Sequence, residues 1–256
     1  MTRPGLKRDI AAAYDASAGG FAGHADRHVY RHLALPLATA LDGVDGPVLD
    51  VAAGSGALGR LLGDRAVALD LAPGQLAANP ARLRVCGDAE RLPFATGAFA
   101  AAGCAFGVNH LPDPLAAARE MARVAPLVGL LTWARPEAPY APKQAVQAVI
   151  ERHLATARSE VGLALDAFGD RVGSAAALGA LLAGAGLDPV SAELDVEVPW
   201  PGAEAFVDYR LAMVTVPALG AELGAVRRAA VAAVEALPAE ALAWRPRLVM
   251  AVGRRA

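Results

Sequence analysis

Hydrophobic and polar positions along the chain form two alternating patterns. Short apolar runs of strand length are separated by longer stretches in which apolar residues recur with helical spacing. In the first half of the chain, the predicted strands cover 47–51, 66–70, 83–86 and 100–106. This alternation is typical of an α/β protein built on a largely parallel sheet.

The segments on either side of this alternation are predicted to be mainly helical. Before the first strand, the periodicity predicts helices over 6–17 and 25–42, with a glycine hinge between them. After residue 133, the pattern predicts helices over 142–160, 174–185 and 202–216 and strands over 189–198 and 247–253.

Length, charge and cysteine content narrow the possible functions. A chain of 256 residues suits one α/β core, and a formal net charge of −2 gives no basic surface for nucleic acid. Cys86 and Cys104 lie in apolar surroundings without metal-ligand spacing, so we expect buried thiols and no metal site. The sequence carries no visible export signal and no apolar run of membrane-spanning length. We therefore expect a cytoplasmic protein without a membrane partner.

The clearest chemical signal is the loop that follows the first predicted strand. Gly54, Gly56 and Gly59 match the G-x-G-x-x-G fingerprint of dinucleotide-binding loops, whose backbone approaches a ligand closely. Asp50 stands at the strand end, four residues before the first of these glycines. A carboxylate at this edge of the sheet suits a ligand with an ammonium group better than a diphosphate.

Two further acids stand at predicted strand ends. Asp70 ends the second strand, twenty residues after Asp50, where an acid can accept both hydroxyl groups of an adenosine ribose. Asp88 lies in the tripeptide Gly87-Asp88-Ala89 after the third strand. An acid such as Asp70 is also used by nicotinamide enzymes, so Asp70 alone does not identify the ligand.

In this order, the motifs resemble those of class I S-adenosylmethionine-dependent methyltransferases, and specifically the small-molecule subgroup that includes ubiquinone and secondary-metabolite enzymes. The family motif D-x-G-x-G-x-G retains Asp50, Gly54 and Gly56, while Ala52 replaces its first glycine. The family segment S-x-F-x-x-H-H-L-x-D corresponds to the residues after the fourth strand, with Asn109 in place of the first histidine.

The resemblance implies a Rossmann-like, doubly wound α/β sheet of seven mostly parallel strands, with an antiparallel last strand and an N-terminal helical lid. It implies one methyltransferase domain over 1–256, made of the lid at 1–45, the cofactor-binding core at 46–135 and the rest of the core at 136–256. Acceptor-side insertions are expected near 140–172 and 199–245.

The resemblance also assigns residues to the cofactor. Asp70 is expected to bind the ribose, Asp88 to accept from the adenine amino group, and the Ala89 N–H to donate to the adenine ring. The full set of expected S-adenosylmethionine contacts is Tyr14, Phe21, Asp50, Ala52, Gly54, Ser55, Gly56, Asp70, Leu71, Asp88, Ala89, Ala105 and Phe106.

The methyl-acceptor pocket is expected among the aromatic and basic residues added to the nucleotide-binding core. The candidates are His24, His28, Phe206, Tyr209 and Arg210. His110 follows the fourth strand and is the candidate general base, because an unperturbed imidazole suits proton removal at neutral pH. An alternative is that His110 only holds its turn, since an acidic acceptor needs no base.

The expected function is methyl transfer from S-adenosylmethionine to an O, N or C atom of a small molecule, such as a secondary metabolite, by in-line displacement. Two alternatives stay open. One is a non-catalytic or non-methylating S-adenosylmethionine-binding protein on the same fold. The other is an NAD(P)-dependent oxidoreductase, for which the sequence offers no Tyr-x-x-x-Lys pair, because its lysines are Lys7 and Lys143.

Overall fold

The computed structural model describes residues 3–20, 29–153, 160–213, 216 and 219–255. Within these ranges the chain forms a seven-stranded sheet in the order β3-β2-β1-β4-β5-β7-β6. The strands are β1 Val48–Val51, β2 Ala66–Asp70, β3 Leu83–Cys86, β4 Ala101–Ala105, β5 Leu127–Trp133, β6 Asp188–Asp195 and β7 Arg247–Arg254. Strands β1 to β5 pair in parallel, whereas β7 is antiparallel to both β5 and β6. The expected α/β sheet with an antiparallel last strand is confirmed.

Helices connect and flank these strands. They are α1 Arg3–Gly20, α2 Arg31–Leu33, α3 Leu35–Ala40, α4 Gly59–Leu62, α5 Pro73–Ala78, α6 Pro114–Val124, α7 Ala141–His153, α8 Glu160–Val172, α9 Ala175–Gly184, α10 Ala203–Leu211 and α11 Leu223–Glu235. Short 3-10 turns occur at Gly63–Arg65, Val108–His110, Gly220–Glu222 and Ala239–Leu242.

The central strands β1, β2, β4 and β5 are buried on both faces, and successive residues of each strand point to opposite sides of the sheet. In β5, Leu127 and Leu131 join one hydrophobic cluster, which also contains residues of α3, α7 and α11. Val128 and Leu130 of the same strand join a second cluster, with residues of α6 and α9. The nearly continuous apolar runs of the sequence therefore correspond to strands covered by helices on both faces.

Glycines in the central strands allow α3 to pack closely on the sheet. Gly103 of β4 faces Leu41 and Leu58, both of which are fully buried. A Cβ atom at position 103 would lie 2.7 Å from Leu41 Cδ1 and 2.8 Å from Leu58 Cδ2. The leucines fill the space that a larger side chain on β4 would need.

The helix boundaries before the sheet differ from the sequence prediction. Helix α1 continues through Gly19 and Gly20, which were expected to form a hinge after residue 17. A glycine lowers helix stability by only about 1 kcal/mol, so neighbouring contacts can keep it helical. The second predicted helix, 25–42, is described only from residue 29 onward, and it contains α2 and α3.

The C-terminal half is also divided differently from the prediction. The helix expected over 142–160 ends at His153, and a separate helix, α8, begins at Glu160. Helix α10 ends at Leu211, five residues earlier than expected. The sequence analysis did not identify α8 or α11 as separate helices.

Replacing Gly103 with valine should destabilise the fold. Overpacking against Leu41 and Leu58 is expected to lower the free energy of unfolding by about 1–3 kcal/mol. Gly43→Ala is the matched control, because a Cβ atom there meets nothing within 4 Å; its effect should stay within about 0.5 kcal/mol. Urea denaturation measures both variants, and equal stability of Gly103→Val and wild type would contradict the packing argument.

Candidate cofactor and acceptor site

A cavity of about 230 Å³ opens at the carboxyl ends of the parallel strands. Its walls include the loop after β1, the ends of β2 and β4, and the turn after β3. The strand order reverses between β1 and β4, and open α/β sheets bind ligands at such a switch point. One water needs only about 10–15 Å³, so the space suits organic ligands.

The backbone at this switch point adopts conformations that side chains disfavour. Ala52 after β1 has φ 53° and Phe106 after β4 has φ 60°, although neither is glycine. Such residues cost about 1–3 kcal/mol each and persist where the surrounding structure holds them. Gly107 separates the two strand ends: a Cβ atom there would lie 2.5 Å from the Ala52 Cβ. The two loops therefore meet closely at the cavity wall.

Asp50 lies beneath the loop and not in the cavity, contrary to its expected contact with a ligand ammonium group. Its side chain is 1% exposed, and its Oδ2 accepts the N–H of Gly59 at 2.9 Å. It does not line the cavity. Gly59 begins α4, where backbone N–H groups have no partner within the helix. The carboxylate therefore anchors the helix start, and the ligand-contact assignment is not supported by this geometry.

Gly56 has a structural reason to be glycine as well. Its φ is 99°, and a Cβ atom there would lie 2.7 Å from the Pro80 ring. Like Asp50, it does not line the cavity. Gly54, by contrast, lines the cavity with φ 51°, and a Cβ atom there would meet no atom closer than 3.8 Å. The open side of the loop is therefore at Gly54.

Asp70 joins the end of β2 to this loop. Its Oδ2 accepts the Gly54 N–H at 2.8 Å, and its Oδ1 accepts the Ala72 N–H at 2.9 Å. Burial raises the pKa of the Asp70 carboxyl, while these backbone hydrogen bonds counteract the rise. A carboxylate has about four acceptor positions, so Asp70 can hold the loop and still accept from a ligand in the cavity.

Asp88 lines the cavity after β3 and forms an ion pair that the sequence did not predict. The Lys7 Nζ of α1 lies 2.6 Å from Asp88 Oδ2 and 2.7 Å from Glu90 Oε2. Burial opposes the charge on Lys7, but the hydrogen bonds to the two acids prevail and raise its pKa. Asp88 Oδ1 also accepts the Glu90 N–H at 2.9 Å. Acceptor positions remain on both oxygens of Asp88.

Helix α1 is fixed over the cavity at a second point. The Gly74 N–H donates to Asp15 Oδ1 at 2.7 Å, and Gln75 Nε2 donates to the Tyr14 carbonyl at 2.9 Å. Tyr14 itself lines the cavity. This helix therefore has the position expected of a lid. Three other residues predicted near it, Phe21, His24 and His28, lie outside the described residues.

His110 lines the cavity with both ring nitrogens engaged. Thr132 Oγ1 donates to Asn109 Oδ1 at 2.9 Å, which turns the Asn109 amide so that Nδ2 lies 2.9 Å from His110 Nε2. His110 Nδ1 lies 3.0 Å from the hydroxyl of Tyr14. An amide nitrogen only donates, so Nε2 is the acceptor and the neutral ring carries its proton on Nδ1. The ring thus links β5 to the lid.

The electrostatic environment keeps His110 neutral. Burial, assisted by the positive charge of Arg135, lowers its pKa from 6.5 to about 4. A base with so low a pKa removes protons weakly at neutral pH. To accept a proton, either nitrogen would also have to exchange its present partner. These observations favour the positioning alternative over the general base.

Another part of the cavity wall is formed by aromatic side chains that follow β4 in the chain. Trp133 and Tyr140 both stack on Trp244, with interplanar angles of 29° and 25°. Two predicted acceptor residues, Phe206 and Tyr209, line the same region. The sequence analysis missed Trp133, Tyr140 and Trp244, which come from separate segments of the chain. Their aromatic character, in a chain with only 5% aromatic residues, was the available signal.

Most predicted site residues meet in this single cavity. It is lined by Tyr14, Ala52, Gly54, Ser55, Asp70, Leu71, Asp88, Ala89, Ala105, Phe106, His110, Phe206, Tyr209 and Arg210. In the described ranges, no group of three or more His, Cys, Asp or Glu side chains is arranged to hold a metal ion. No helix within those ranges has both the length and the apolarity needed to cross a bilayer.

Removing the Asp50 carboxylate should destabilise the protein. Asp50→Ala leaves the buried Gly59 N–H without its acceptor, an unsatisfied group that costs about 1–3 kcal/mol. The exposed Asp45 provides the matched control, Asp45→Ala, for which no comparable loss is expected. Chemical denaturation of both variants measures the difference. An Asp50→Ala protein as stable as wild type would contradict the anchoring role.

His110 should make stability depend on pH. Its pKa is about 4 in the folded state and near 6.5 when unfolded, so the unfolded chain binds more protons between these values. The stabilisation is complete above pH 6.5 and is lost as the pH falls towards 4, by up to about 3 kcal/mol. In urea titrations, the free energy of unfolding of the wild type, relative to that of His110→Gln, should therefore decrease as the pH is lowered from 6.5 to 4. A difference independent of pH would contradict the assignment.

The sequence matches the Methyltransferase domain family over residues 49–132. It is similar to the demethylmenaquinone methyltransferase of Mycolicibacterium vanbaalenii, with 49% identity over 82 residues, covering 30% of this chain and 36% of the relative. The Mycobacterium tuberculosis H37Rv enzyme of the same name is 45% identical over 82 residues, covering 30% and 35%. The chain thus matches about a third of the length of these curated relatives.

Solved structures resemble the chain over most of its length. A Bacillus halodurans protein assigned as a methyltransferase has a TM-score of 0.54 at 18% identity, covering 86% of this chain and 98% of that one. An Anabaena variabilis protein assigned as a methyltransferase from an antibiotic biosynthesis pathway has a TM-score of 0.59 at 12% identity, covering 84% and 96%. The chain has the class I methyltransferase fold, and the resemblance of its motifs to the small-molecule members of that class is confirmed.

Proposed function

We propose that the protein transfers a methyl group from S-adenosylmethionine to a small-molecule acceptor. One observation carries the proposal: a single cavity joins the glycine loop and the acids after β2 and β3 to an aromatic chamber beyond β5. The first part offers hydrogen-bond acceptors for the hydroxyl and amino groups of an adenosyl ligand. The second part offers the apolar lining with few polar groups that is typical of small-molecule sites.

The residues of the first part fit S-adenosylmethionine in shape and charge. Gly54 leaves open space beside its backbone, and Asp70 and Asp88 each retain acceptor positions for ligand hydroxyl or amino groups. Asp70, Asp88 and Glu90 outnumber the one cation among them, Lys7, so this part carries a net negative charge. The cofactor carries a sulfonium, an ammonium and a carboxylate, which sum to +1. When bound, it supplies an electrophilic methyl group for in-line displacement.

The protein would contribute mainly orientation and exclusion of water. The loop at Gly54 and the acids hold one reactant, the aromatic chamber holds the other, and α1 covers the cavity. Such positioning can supply about 7–11 kcal/mol of a barrier without a catalytic side chain. His110 acts here as a positioning residue, because Asn109 and Tyr14 occupy its two ring nitrogens.

The identity of the acceptor does not follow from the relatives named above. Those relatives are called demethylmenaquinone methyltransferases, but the family match ends at residue 132. The chamber is built by residues that follow it, including Trp133, Tyr140, Phe206 and Trp244. A quinone-like acceptor is therefore one candidate among small aromatic compounds, and a secondary metabolite is another.

The nicotinamide alternative is less well supported. In doubly wound dinucleotide-binding sheets the sixth strand is parallel, whereas β7 here runs antiparallel between β5 and β6. The non-catalytic alternative, an S-adenosylmethionine-binding protein without turnover, shares every feature of the first part of the cavity. What favours an enzyme over such a protein is that the cofactor part opens into a second chamber, which offers space for a methyl acceptor.

Calorimetry and a methyl-transfer assay test the proposal together. S-adenosylmethionine and S-adenosylhomocysteine should bind with micromolar or better affinity, and NADH should not bind. Tritiated S-adenosylmethionine should label aromatic acceptors bearing hydroxyl, amino or carboxyl groups. Binding of NADH alone would favour the oxidoreductase. Tight S-adenosylmethionine binding without transfer to any acceptor in a broad panel would favour the non-catalytic protein.

Asp88→Ala should weaken S-adenosylhomocysteine binding. Loss of a hydrogen bond to a charged acceptor is worth about 1.5–3 kcal/mol, or roughly ten- to a hundredfold in affinity. Asp42→Ala is the matched control, because the Asp42 side chain is 80% exposed and forms its ion pair with Arg65, away from the residues that line the cavity. Calorimetry measures both dissociation constants. Unchanged affinity in Asp88→Ala would remove Asp88 from the cofactor site.

A further inference from the structure

Arg210 is the charged residue of the acceptor chamber that lacks a countercharge in the structure. Arg135 lies 3.5 Å from Asp166, and Lys143 is paired with Glu137. These four residues line the cavity and cancel in charge. Arg210 also lines the cavity, and no ion pair joins it to any described residue. The chamber therefore carries a net charge of +1, located on α10.

The Arg210 guanidinium is also incompletely hydrogen-bonded. Its Nε is buried and has no hydrogen-bond partner among the described residues. A buried N–H without an acceptor costs about 1–3 kcal/mol, and more when the group is charged. An oxygen anion in the cavity would supply the missing countercharge, since a guanidinium presents its N–H groups in a fork that matches a carboxylate. The uncompensated charge thus indicates the chemistry of the missing group.

The aromatic side chains that line the same cavity as Arg210 favour a flat ring in its ligand. Tyr209 is its neighbour on α10, and the Tyr209 ring packs 6.1 Å from Trp244. Trp244 in turn stacks with Trp133 and Tyr140 at 5.4 and 5.9 Å. Nearly parallel aromatic planes next to a cavity favour a planar aromatic ligand.

We propose that the methyl acceptor is a planar aromatic compound with an anionic oxygen group, bound in this cavity by Arg210 and by the aromatic side chains of Trp133, Tyr140 and Trp244. This inference rests on the proposed function, because it names the substrate class of the same cavity. In this proposal, the two parts of the cavity differ in the sign of their net charge. The net negative part binds the cationic cofactor, and the net positive part binds the anionic acceptor.

Matched aromatic probes test the inference. With the 256-residue chain saturated in S-adenosylhomocysteine, calorimetry compares 2-naphthoate with 2-naphthamide, its neutral analogue, and with cyclohexanecarboxylate, an anion without an aromatic ring. 2-Naphthoate should bind at least about tenfold more tightly than either analogue, as expected for a charge-assisted hydrogen bond in an aromatic site. Equal affinity of 2-naphthoate and 2-naphthamide would overturn the inference.

Variants test whether Arg210 is the residue that selects 2-naphthoate over 2-naphthamide. Arg210→Gln should abolish the preference for 2-naphthoate over 2-naphthamide, while Arg210→Lys should retain part of it. Arg228→Gln, at an exposed position of α11, is the control and should keep the full preference. Retention of the full preference in Arg210→Gln would overturn the role of Arg210. If that variant does not fold, the wild-type probe comparison and Arg210→Lys still decide the question.

The design separates this inference from the proposed function. S-adenosylhomocysteine binding is measured first on every variant. Normal binding without selectivity for 2-naphthoate overturns the acceptor class alone. Absence of S-adenosylhomocysteine binding overturns the proposed function and, with it, the assignment of the anion as a methyl acceptor. Repeating the 2-naphthoate titration on the unliganded protein then shows whether Arg210 still selects an anion.

Discussion

The ligand-facing loop after β1 depends on two carboxylates that satisfy its N–H groups. Asp50 accepts from Gly59 at the start of α4, and Asp70 accepts from Gly54 at the cavity. The loop cannot supply these acceptors itself, because Ala52 and Gly54 have positive φ angles that interrupt regular backbone pairing. Side chains of β1 and β2 therefore supply the hydrogen-bond acceptors that backbone carbonyl groups supply in regular secondary structure. They do so at the point where the backbone lines the cavity.

The lid depends on the same strand ends. Helix α1 contacts the turn after β3 through Lys7, the start of α5 through Asp15, and the turn after β4 through Tyr14. Each of these contacts is polar, and each involves a residue in or next to the cavity. An adenosyl ligand bound there would meet the lid and the strand ends together. Cofactor binding and lid position are for this reason physically coupled in the proposed function.

The sequence predicted the parts of the fold that local pattern determines. Strand-length apolar runs identified β1 to β4, and the positions of Asp70 and Asp88 followed from strand ends meeting at one edge of the sheet. The antiparallel last strand came from the family resemblance. Contacts between distant residues could not be predicted: Lys7 and Asp88 are 81 positions apart. The hydrogen bond from the Gly59 N–H to Asp50 could not be predicted either, because sequence does not reveal that the Asp50 side chain points beneath the loop.

The two parts of the cavity follow different physical rules, which explains where sequence similarity is found. The cofactor part is built largely from backbone geometry, positive φ angles and strand-end acids, so few substitutions at those positions preserve it. The acceptor chamber is built from side chains such as Trp133, Tyr140, Arg210 and Trp244, supplied by segments outside the matched residues 49–132. Except for Trp133, the last residue of β5, these side chains lie outside the strands, so they can change while the sheet is kept. Similarity confined to the cofactor part is therefore compatible with a different acceptor, and the chemistry of the acceptor has to be read from the chamber itself.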